Sequence, residues 1–146
     1  MNYRLLTGTC VTSQPMKTSG QTKPQDIRKR SFDYTLRAVK LYQHLQKQDD
    51  GAGWIFGKQY LRAASSIGAN IEEAQAGESR GDFIHKLGIA RKEARESLYW
   101  LRVLAESNLV PTRRVQPLVR ETEELLQVIT SIILQTKRNE GVKLRP

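Results

Sequence analysis

The feature that most constrains this chain is a helical period that persists along most of its length. Between residues 31 and 137, apolar residues recur at steps of three and four in four long segments, separated by short breaks rich in Gly, Asp, Ser and Pro. Segments of roughly 18 to 28 residues joined by short connections favour helices packed against their chain neighbours in antiparallel order. The pattern predicts an all-α fold, an up-down-up-down four-helix bundle.

The first two helices are predicted from their breaks and their apolar faces. The first is expected to begin at Ser31 as N-cap and to end near Gln48, and the second to run from about Trp54 to Glu78. The core face of the first is predicted to contain Phe32, Leu36, Val39 and Leu45, with Tyr42 beside it. The stripe of the second consists mostly of small residues, which let a neighbouring helix approach closely: Leu61, Ala64, Ile67, Gly68, Ile71 and Ala74.

The last two helices carry clear start signals. Ser79 is a candidate N-cap for the third helix, which is expected to reach Asn108, and the fourth should start between Thr112 and Pro117 and end near residues 137–139. Their predicted core stripes are Phe83, Leu87, Ala90, Ala94, Leu101 and Leu104, then Leu118, Leu125, Ile129 and Ile132. The chain therefore divides into an extension without an apolar period at 1–27, a bundle at 28–138 and a basic flexible tail at 139–146.

The net charge of +9 is distributed unevenly. Residues 1–30 contain six Lys and Arg and one Asp, and residues 137–146 contain four Lys and Arg and one Glu, whereas residues 31–136 contain 14 basic and 13 acidic residues. The bundle itself is close to neutral. Nucleic-acid binding by its surface must therefore depend on local clusters of cations, while the tails could add phosphate contacts.

Catalytic and metal chemistry find no support in the spacing of reactive residues. Cys10 is the only cysteine, His44 and His85 lie on different predicted helices, and neither histidine has the Glu three residues earlier that a carboxylate-bridged metal site requires. The neighbouring glutamates at 72–73 and 93–96 resemble acid/base pairs, but cations on the same helices favour surface ion pairs. We expect a protein that is not an enzyme and that has no cofactor, metal or small-molecule substrate. It also lacks an apolar run that would cross a membrane, so a cytoplasmic location is expected.

Three arginines share one face of the third helix through steps of four and seven, namely Arg91, Arg95 and Arg102. Such a row can follow a phosphate backbone, although a solvated face paired with glutamates is the other interpretation. Arg113 and Arg114 would extend the row from the next connection. Arg37 and Lys40 of the first helix are further candidates, but the sequence does not indicate whether they lie nearby.

A second set of residues suggests contacts between subunits. Ile89, Trp100 and Val103 project from a different side of the third helix than its core stripe and require a partner. The amide of Asn70 lies next to Ile71 on a packed helix, so it faces either a buried polar group or a subunit interface.

Several blocks in this order and spacing resemble one bacterial family. They are RAASSIGANIEEA at 62–74, DFIHKL at 82–87, ARKEARE at 90–96 and YWL at 99–101. The chain resembles the bacterial "four helix bundle protein" family over about residues 28–137. That family includes proteins encoded in intervening sequences of large-subunit ribosomal RNA genes, and it is related to the accessory variability proteins of diversity-generating retroelements.

The resemblance implies a homopentameric barrel whose basic surfaces bind a reverse transcriptase and nucleic acid, RNA or DNA. It further implies structural or interface roles for Arg62, Asn70, Glu73 and Glu96. The nearly neutral bundle and the N-terminal extension depart from the family pattern. Two alternatives stay open: an intervening-sequence protein of unknown role, and a structural scaffold without nucleic acid.

Overall fold

A computed structural model describes residues 24–143 as four α-helices, and side chains are described for residues 27–139. The helices are α1 (Pro24–Gln46), α2 (Gly51–Gln75), α3 (Arg80–Glu106) and α4 (Thr112–Lys143). The described part of the chain contains no β-strand. The prediction of four helices in an all-α fold is therefore confirmed. Residues 24–27 of the predicted extension belong to α1, and residues 139–143 of the predicted tail belong to α4; the rest of both segments lies outside the described residues.

Ion pairs between helices show the antiparallel order. Arg28 near the start of α1 contacts Glu72 near the end of α2, with 2.7 Å between Nη2 and Oε2. Arg62 of α2 contacts Glu96 of α3 at 2.7 Å, and Arg30 of α1 contacts Glu124 of α4 at 2.8 Å. Each helix packs on its chain neighbours, and α4 returns to pack against α1. The bundle is thus closed around one core.

Local signals fix the ends of the helices. The Asp50 side chain accepts a hydrogen bond from the backbone N–H of Ala52 at 2.9 Å and caps α2. Ser79 caps α3 by accepting from the N–H of Asp82 at 3.1 Å, as the sequence predicted. After α3 the chain turns through Asn108, whose φ of 59° is a left-handed conformation that Asn tolerates.

The start and the core face of α1 differ from the sequence prediction. The helix begins at Pro24, and Ser31, expected as N-cap, is buried inside it with its hydroxyl donating to the carbonyl of Arg28 at 3.0 Å. The predicted core residues Phe32 and Leu36 are 61% and 46% exposed. The side chains that α1 actually buries are Ile27, Ser31, Tyr34, Ala38, Leu41 and Leu45. The prediction was right at Leu45, which is fully buried, and wrong at Phe32 and Leu36, because the true core face of α1 runs through Tyr34 and Ala38.

The other three core stripes agree with the sequence in most positions. Leu87, Ala90, Ala94, Leu101 and Leu104 of α3 are fully buried, as are Leu125 and Ile129 of α4. The glycines and alanines of α2 allow close packing, as expected: a Cβ placed on Gly57 would lie 2.6 Å from Cδ1 of Leu45.

A polar layer crosses this apolar core. Tyr60 of α2 donates to the hydroxyl of Tyr34 at 3.1 Å, and the hydroxyls of Tyr34 and Thr122 lie 2.6 Å apart. The Thr122 hydroxyl also donates to the carbonyl of Leu118, one turn earlier in α4, at 2.6 Å. Three helices thus contribute one side chain each to the layer. Ser97 of α3 is buried as well, and its hydroxyl donates to the carbonyl of Glu93 at 2.9 Å. None of the described helices has the length and apolarity required to cross a membrane.

Candidate nucleic-acid interface

The three arginines predicted to form a row on α3 have different surroundings. Arg102 is exposed and contacts Glu106 of its own helix at 3.1 Å. Arg95 is also exposed and lines a groove between α3 and α4. Arg91 is half-buried, and its Nε is enclosed without a hydrogen-bond partner among the described residues. The row is therefore divided between a surface ion pair, a groove and a partly buried position.

A second group of predicted cations comes together from two distant parts of the sequence. Arg37 and Lys40 of α1 and Arg114 of α4 line one cleft of about 230 Å³. Apolar side chains of Leu41 and Leu118 form part of its wall. The antiparallel contact between the first and last helices creates this cleft, and for that reason no spacing in the sequence could reveal it. We call these lining residues the α1/α4 cleft.

The cations of the α1/α4 cleft are not equivalent. Arg37 forms a two-point ion pair with Glu121 of α4, in which its Nε lies 2.8 Å from Oε2. Lys40 and Arg114 form no ion pair with the described residues. Arg113 is exposed but does not line the cleft. Two cations without a carboxylate partner in the described part of the chain, and one oriented by a carboxylate, thus face the same space.

The residues predicted at subunit contacts lie along the seam between α2 and α3. Trp100 stacks on Phe56 of α2 with ring centroids 5.9 Å apart, and its Nε1 donates to Glu96 at 3.2 Å. The same carboxylate oxygen of Glu96 accepts from Arg62. Much of the Trp100 ring and the charge of Arg62 are therefore engaged within the protomer.

The remaining interface candidates are less exposed than an open patch would be. Ile89 and Val103 are half-buried on α3. Asn70 is half-buried too, and its Nδ2 donates to the carbonyl of Ser66, one turn earlier in α2, at 2.8 Å. The amide that required a partner thus has one inside its own helix.

The glutamate pairs do not form an acid/base centre. Glu72 contacts Arg28, Glu73 contacts Lys86, and Glu96 contacts Arg62. Glu93 is the exception, because its Oε2 is enclosed without a partner among the described residues and burial raises its pKa. The nearby charge of Glu96 raises the pKa of Glu93 further, and Arg62 opposes both effects.

Metal-ligating groups are likewise scattered. The described residues contain no group of three His, Cys, Asp or Glu side chains that could hold a metal ion. His44 contacts the Gln48 amide at 3.0 Å, and His85 is exposed.

The sequence did not reveal two further surface features. Exposed apolar side chains occur at Phe32 and Leu36 on α1 and at Ile55 and Tyr99 on the α2/α3 side. On α4, Leu134 is 50% exposed and lines the groove that also contains Arg95. The sequence could not predict that these side chains are exposed, because apolar residues occur on both the core face and the solvent face of these helices. Only the packing of the bundle shows which face is buried.

Comparison with known proteins identifies similar chains. A family model described as 23S rRNA-intervening sequence protein matches residues 23–131. A protein of unknown function from the S23 ribosomal protein family of Bacteroides thetaiotaomicron, known from a crystal structure, is 36% identical in sequence. The match covers 76% of this chain and 97% of that one, with a TM-score of 0.71. No protein of curated function matches.

Proposed function

Because the chain belongs to the family of 23S rRNA-intervening sequence proteins, we propose that it is a non-enzymatic, self-associating protein that binds nucleic acid at the α1/α4 cleft. The observation that carries the proposal is the meeting of Arg37, Lys40 and Arg114 in that cleft. Phosphate contacts by Lys and Arg supply most of the affinity of binding that does not depend on base sequence.

Electrostatics around the cleft favour an anionic ligand. Lys40 and Arg114 have no carboxylate partner among the described residues, so a phosphate would not have to displace one. Arg37 is held by Glu121, which orients its guanidinium while lowering the local net charge. Arg113 and Arg114 also lie in the first turn of α4, where the helix dipole adds positive potential.

We propose a protein without catalytic activity because most of the glutamates that could act as acids or bases are engaged by cations. Three of the four glutamates that could act as acids or bases are engaged in ion pairs, and the two histidines lie on different helices. Catalysis by an acid/base pair requires two titratable groups positioned on one substrate, whereas only Glu93 of these four lacks a cation partner among the described residues.

Self-association is supported by the apolar side chains that the fold leaves in contact with solvent. Phe32 and Leu36 lie one turn apart on α1, and contiguous apolar surface of this kind commonly marks protein contacts. A homopentameric barrel is what the family resemblance implies for the assembly. A reverse transcriptase partner remains a prediction from the same resemblance, and a reverse-transcriptase gene with template and variable repeats beside this reading frame would support it.

The binding proposal is tested by removing two charges from the cleft and two from elsewhere. In Lys40→Gln/Arg114→Gln we expect weaker binding to a labelled RNA and to a DNA of the same sequence. The slope of log K against log salt should fall by about 0.7 to 0.9 for each phosphate that the variant no longer neutralises. The matched control is Lys92→Gln/Arg120→Gln, which removes one exposed Lys and one exposed Arg outside the cleft.

Equal reductions in affinity in the cleft variant and in the control would contradict the proposal, because they would show binding that follows net charge alone. The triple variant Arg91→Ala/Arg95→Ala/Arg102→Ala tests the predicted row on α3 in the same assay. If only this variant binds more weakly, the nucleic acid lies on α3 and the cleft is not the site. If every variant binds as the wild type does, the nucleic acid is bound outside both surfaces and the cleft is not the site. If the wild type itself binds neither RNA nor DNA, the scaffold alternative is the better explanation.

A further inference from the structure

The groove between α3 and α4 combines an uncharged floor that includes two leucines with charged ends. Its volume is about 670 Å³, and its α4 wall between the arginines consists of Leu126, Gln127, Thr130, Ser131, Leu134 and Gln135. The Thr130 hydroxyl donates to the carbonyl of Leu126 at 2.7 Å, so it is already satisfied within the helix. The half-exposed Leu134 side chain is the largest apolar group that the groove leaves open to solvent.

Two arginines mark the ends of this groove. Arg138 lies twelve residues beyond Leu126 on α4, a distance of about 18 Å along a helix. Because α3 and α4 are antiparallel and joined by a short turn, residues equally far from the turn lie side by side, which places Arg95 level with about residue 123, within one turn of Leu126. In the described part of the chain no carboxylate lines the groove, and neither arginine forms an ion pair there.

We propose that this groove binds an acidic amphipathic α-helix of a partner protein. A groove between two antiparallel helices accepts a third helix, and the exposed Leu134 with the half-buried Leu126 can bind apolar side chains at steps of three and four. The arginines at the two ends match carboxylates about three turns apart on that helix. A nucleic-acid strand fits less well, since its phosphates would pass over uncharged side chains without cations between the two ends.

This partner site is separate from the proposed nucleic-acid cleft. The cleft lies between α1 and the first turns of α4, whereas the groove follows the later part of α4. The two share no residue, so either can fail its test without affecting the other.

The proposal is tested with a labelled synthetic helical peptide of about 18 residues. The peptide carries leucines at steps of three and four on one face and glutamates about twelve residues apart at the edges of that face. A second peptide has lysines in place of those glutamates. We expect the acidic peptide to bind the full-length protein in fluorescence anisotropy, and Arg95→Glu/Arg138→Glu to weaken its binding about tenfold or more.

Charge reversal supplies the decisive comparison, because the Arg95→Glu/Arg138→Glu protein should bind the lysine peptide better than the acidic one. Arg120→Glu, an exposed change on α4 outside the groove, should retain the preference for the acidic peptide. Leu134→Ala should weaken binding of either peptide, since it removes apolar surface that the peptide would cover.

Three results would overturn the proposal. They are no binding of the acidic peptide at micromolar concentration, equal binding of both peptides by the wild type, and dissociation of the protein's own oligomer in Arg95→Glu/Arg138→Glu. The last result, read by sedimentation velocity, would show that a second copy of the chain covers the groove.

Discussion

At the scale of single residues, the hydroxyl of Tyr34 in the polar layer of the core is expected to affect folding stability strongly. Tyr34 accepts from Tyr60, and its hydroxyl contacts Thr122, so it joins two partners that are themselves buried. Buried polar groups that lose a partner cost about 1 to 3 kcal/mol. The three side chains come from α1, α2 and α4 at one level of the bundle. The layer therefore also favours this alignment of the helices over alignments shifted along their axes.

Removal of the Tyr34 hydroxyl should therefore destabilise the protein although the ring is retained. We expect Tyr34→Phe to lower the free energy of unfolding by about 1 to 3 kcal/mol, since it leaves two buried hydroxyls short of a partner. Tyr42→Phe is the matched control, a half-buried tyrosine on the same helix, and should change stability by less than about 0.5 kcal/mol. Urea unfolding followed by circular dichroism measures both. Equal effects would show that the layer contributes nothing specific.

The same tyrosines should make stability depend on alkaline pH. Burial raises the pKa of Tyr34 and, more strongly, that of Tyr60, above the ordinary value near 10.0. The hydrogen bonds that Tyr34 makes oppose the effect of its burial, whereas the Tyr34 hydroxyl raises the pKa of Tyr60 further. The folded state thus favours the neutral phenols, and their contribution is fully present below pH 10 and is lost as the pH rises toward the folded-state values.

We expect the free energy of unfolding to fall above about pH 10 by roughly 1.4 kcal/mol per pH unit for each of the two phenols. Unfolding titrations between about pH 8 and pH 11 measure the slope. The variant Tyr34→Phe/Tyr60→Phe should have a shallower slope, because it retains every other titrating group. An unchanged slope in this variant would assign the alkaline loss to those other groups.

At the scale of helices, Gly57 allows α2 to pack closely against α1, whereas Gly88 of α3 has open space around it. Alanine is about 1 kcal/mol more favourable than glycine inside a helix, so a substitution without steric conflict should stabilise. A Cβ on Gly88 of α3 would meet nothing within 4 Å, whereas one on Gly57 would lie 2.6 Å from the fully buried Leu45 side chain.

These two glycines should consequently respond in opposite directions. We expect Gly88→Ala to raise the free energy of unfolding by about 0.5 to 1 kcal/mol. Gly57→Ala should lower it by about 1 to 2 kcal/mol, since overpacking at Leu45 exceeds the gain in helix propensity. Thermal unfolding of both variants beside the wild type measures the difference. A rise in Tm for Gly57→Ala would show that Leu45 moves aside at little cost.

The helices also show which parts of the structure the sequence could predict. Ser79 and the stripe from Leu87 to Leu104 were recognisable because capping and periodicity are local properties of a segment. The predicted start of α1 was wrong because the residues before Ser31 have no sustained apolar period. Proline is nevertheless favoured at the first helical position, and the helix begins at Pro24. The α1/α4 cleft could not be predicted, since it depends on which residues of two distant helices lie at the same level.

At the scale of the whole molecule, surfaces of different chemistry lie on different sides of one bundle. The α1/α4 cleft contains the cations that we propose bind nucleic acid, and the α3/α4 groove contains two arginines around an uncharged floor with two leucines. A third surface, on the α1/α2 side, joins the exposed Phe32 to Gly68 and Ala69 in a groove of about 230 Å³. Arg28, the cation at this groove, is paired with Glu72, so the groove offers mainly apolar contacts. Its chemistry suits a protein contact and gives no reason to bind phosphate.

Assembly should therefore respond most strongly to charge on the outer face of α1. Phe32 and Leu36 are more exposed than Trp100, which already packs on Phe56 of its own chain. We expect the wild type to sediment as a species larger than the 16.7 kDa monomer, and Phe32→Asp/Leu36→Asp to sediment closer to it. The exposed positions cost little folding stability when polar, so the variant should retain the helical circular dichroism of the wild type.

Two comparison variants locate the contact and separate it from a general effect of added charge. Ile89→Asp/Val103→Asp places the same charges on the α2/α3 side, where the sequence suggested an interface, and should affect assembly less because both residues are half-buried. Gln75→Asp/Gln116→Asp, at two exposed polar positions, should leave assembly unchanged. A monomeric wild type at micromolar concentration would refute self-association itself. Dissociation of only the α2/α3 variant would instead place the contact between copies along that seam, beside the carboxylate that Arg62 and Trp100 share.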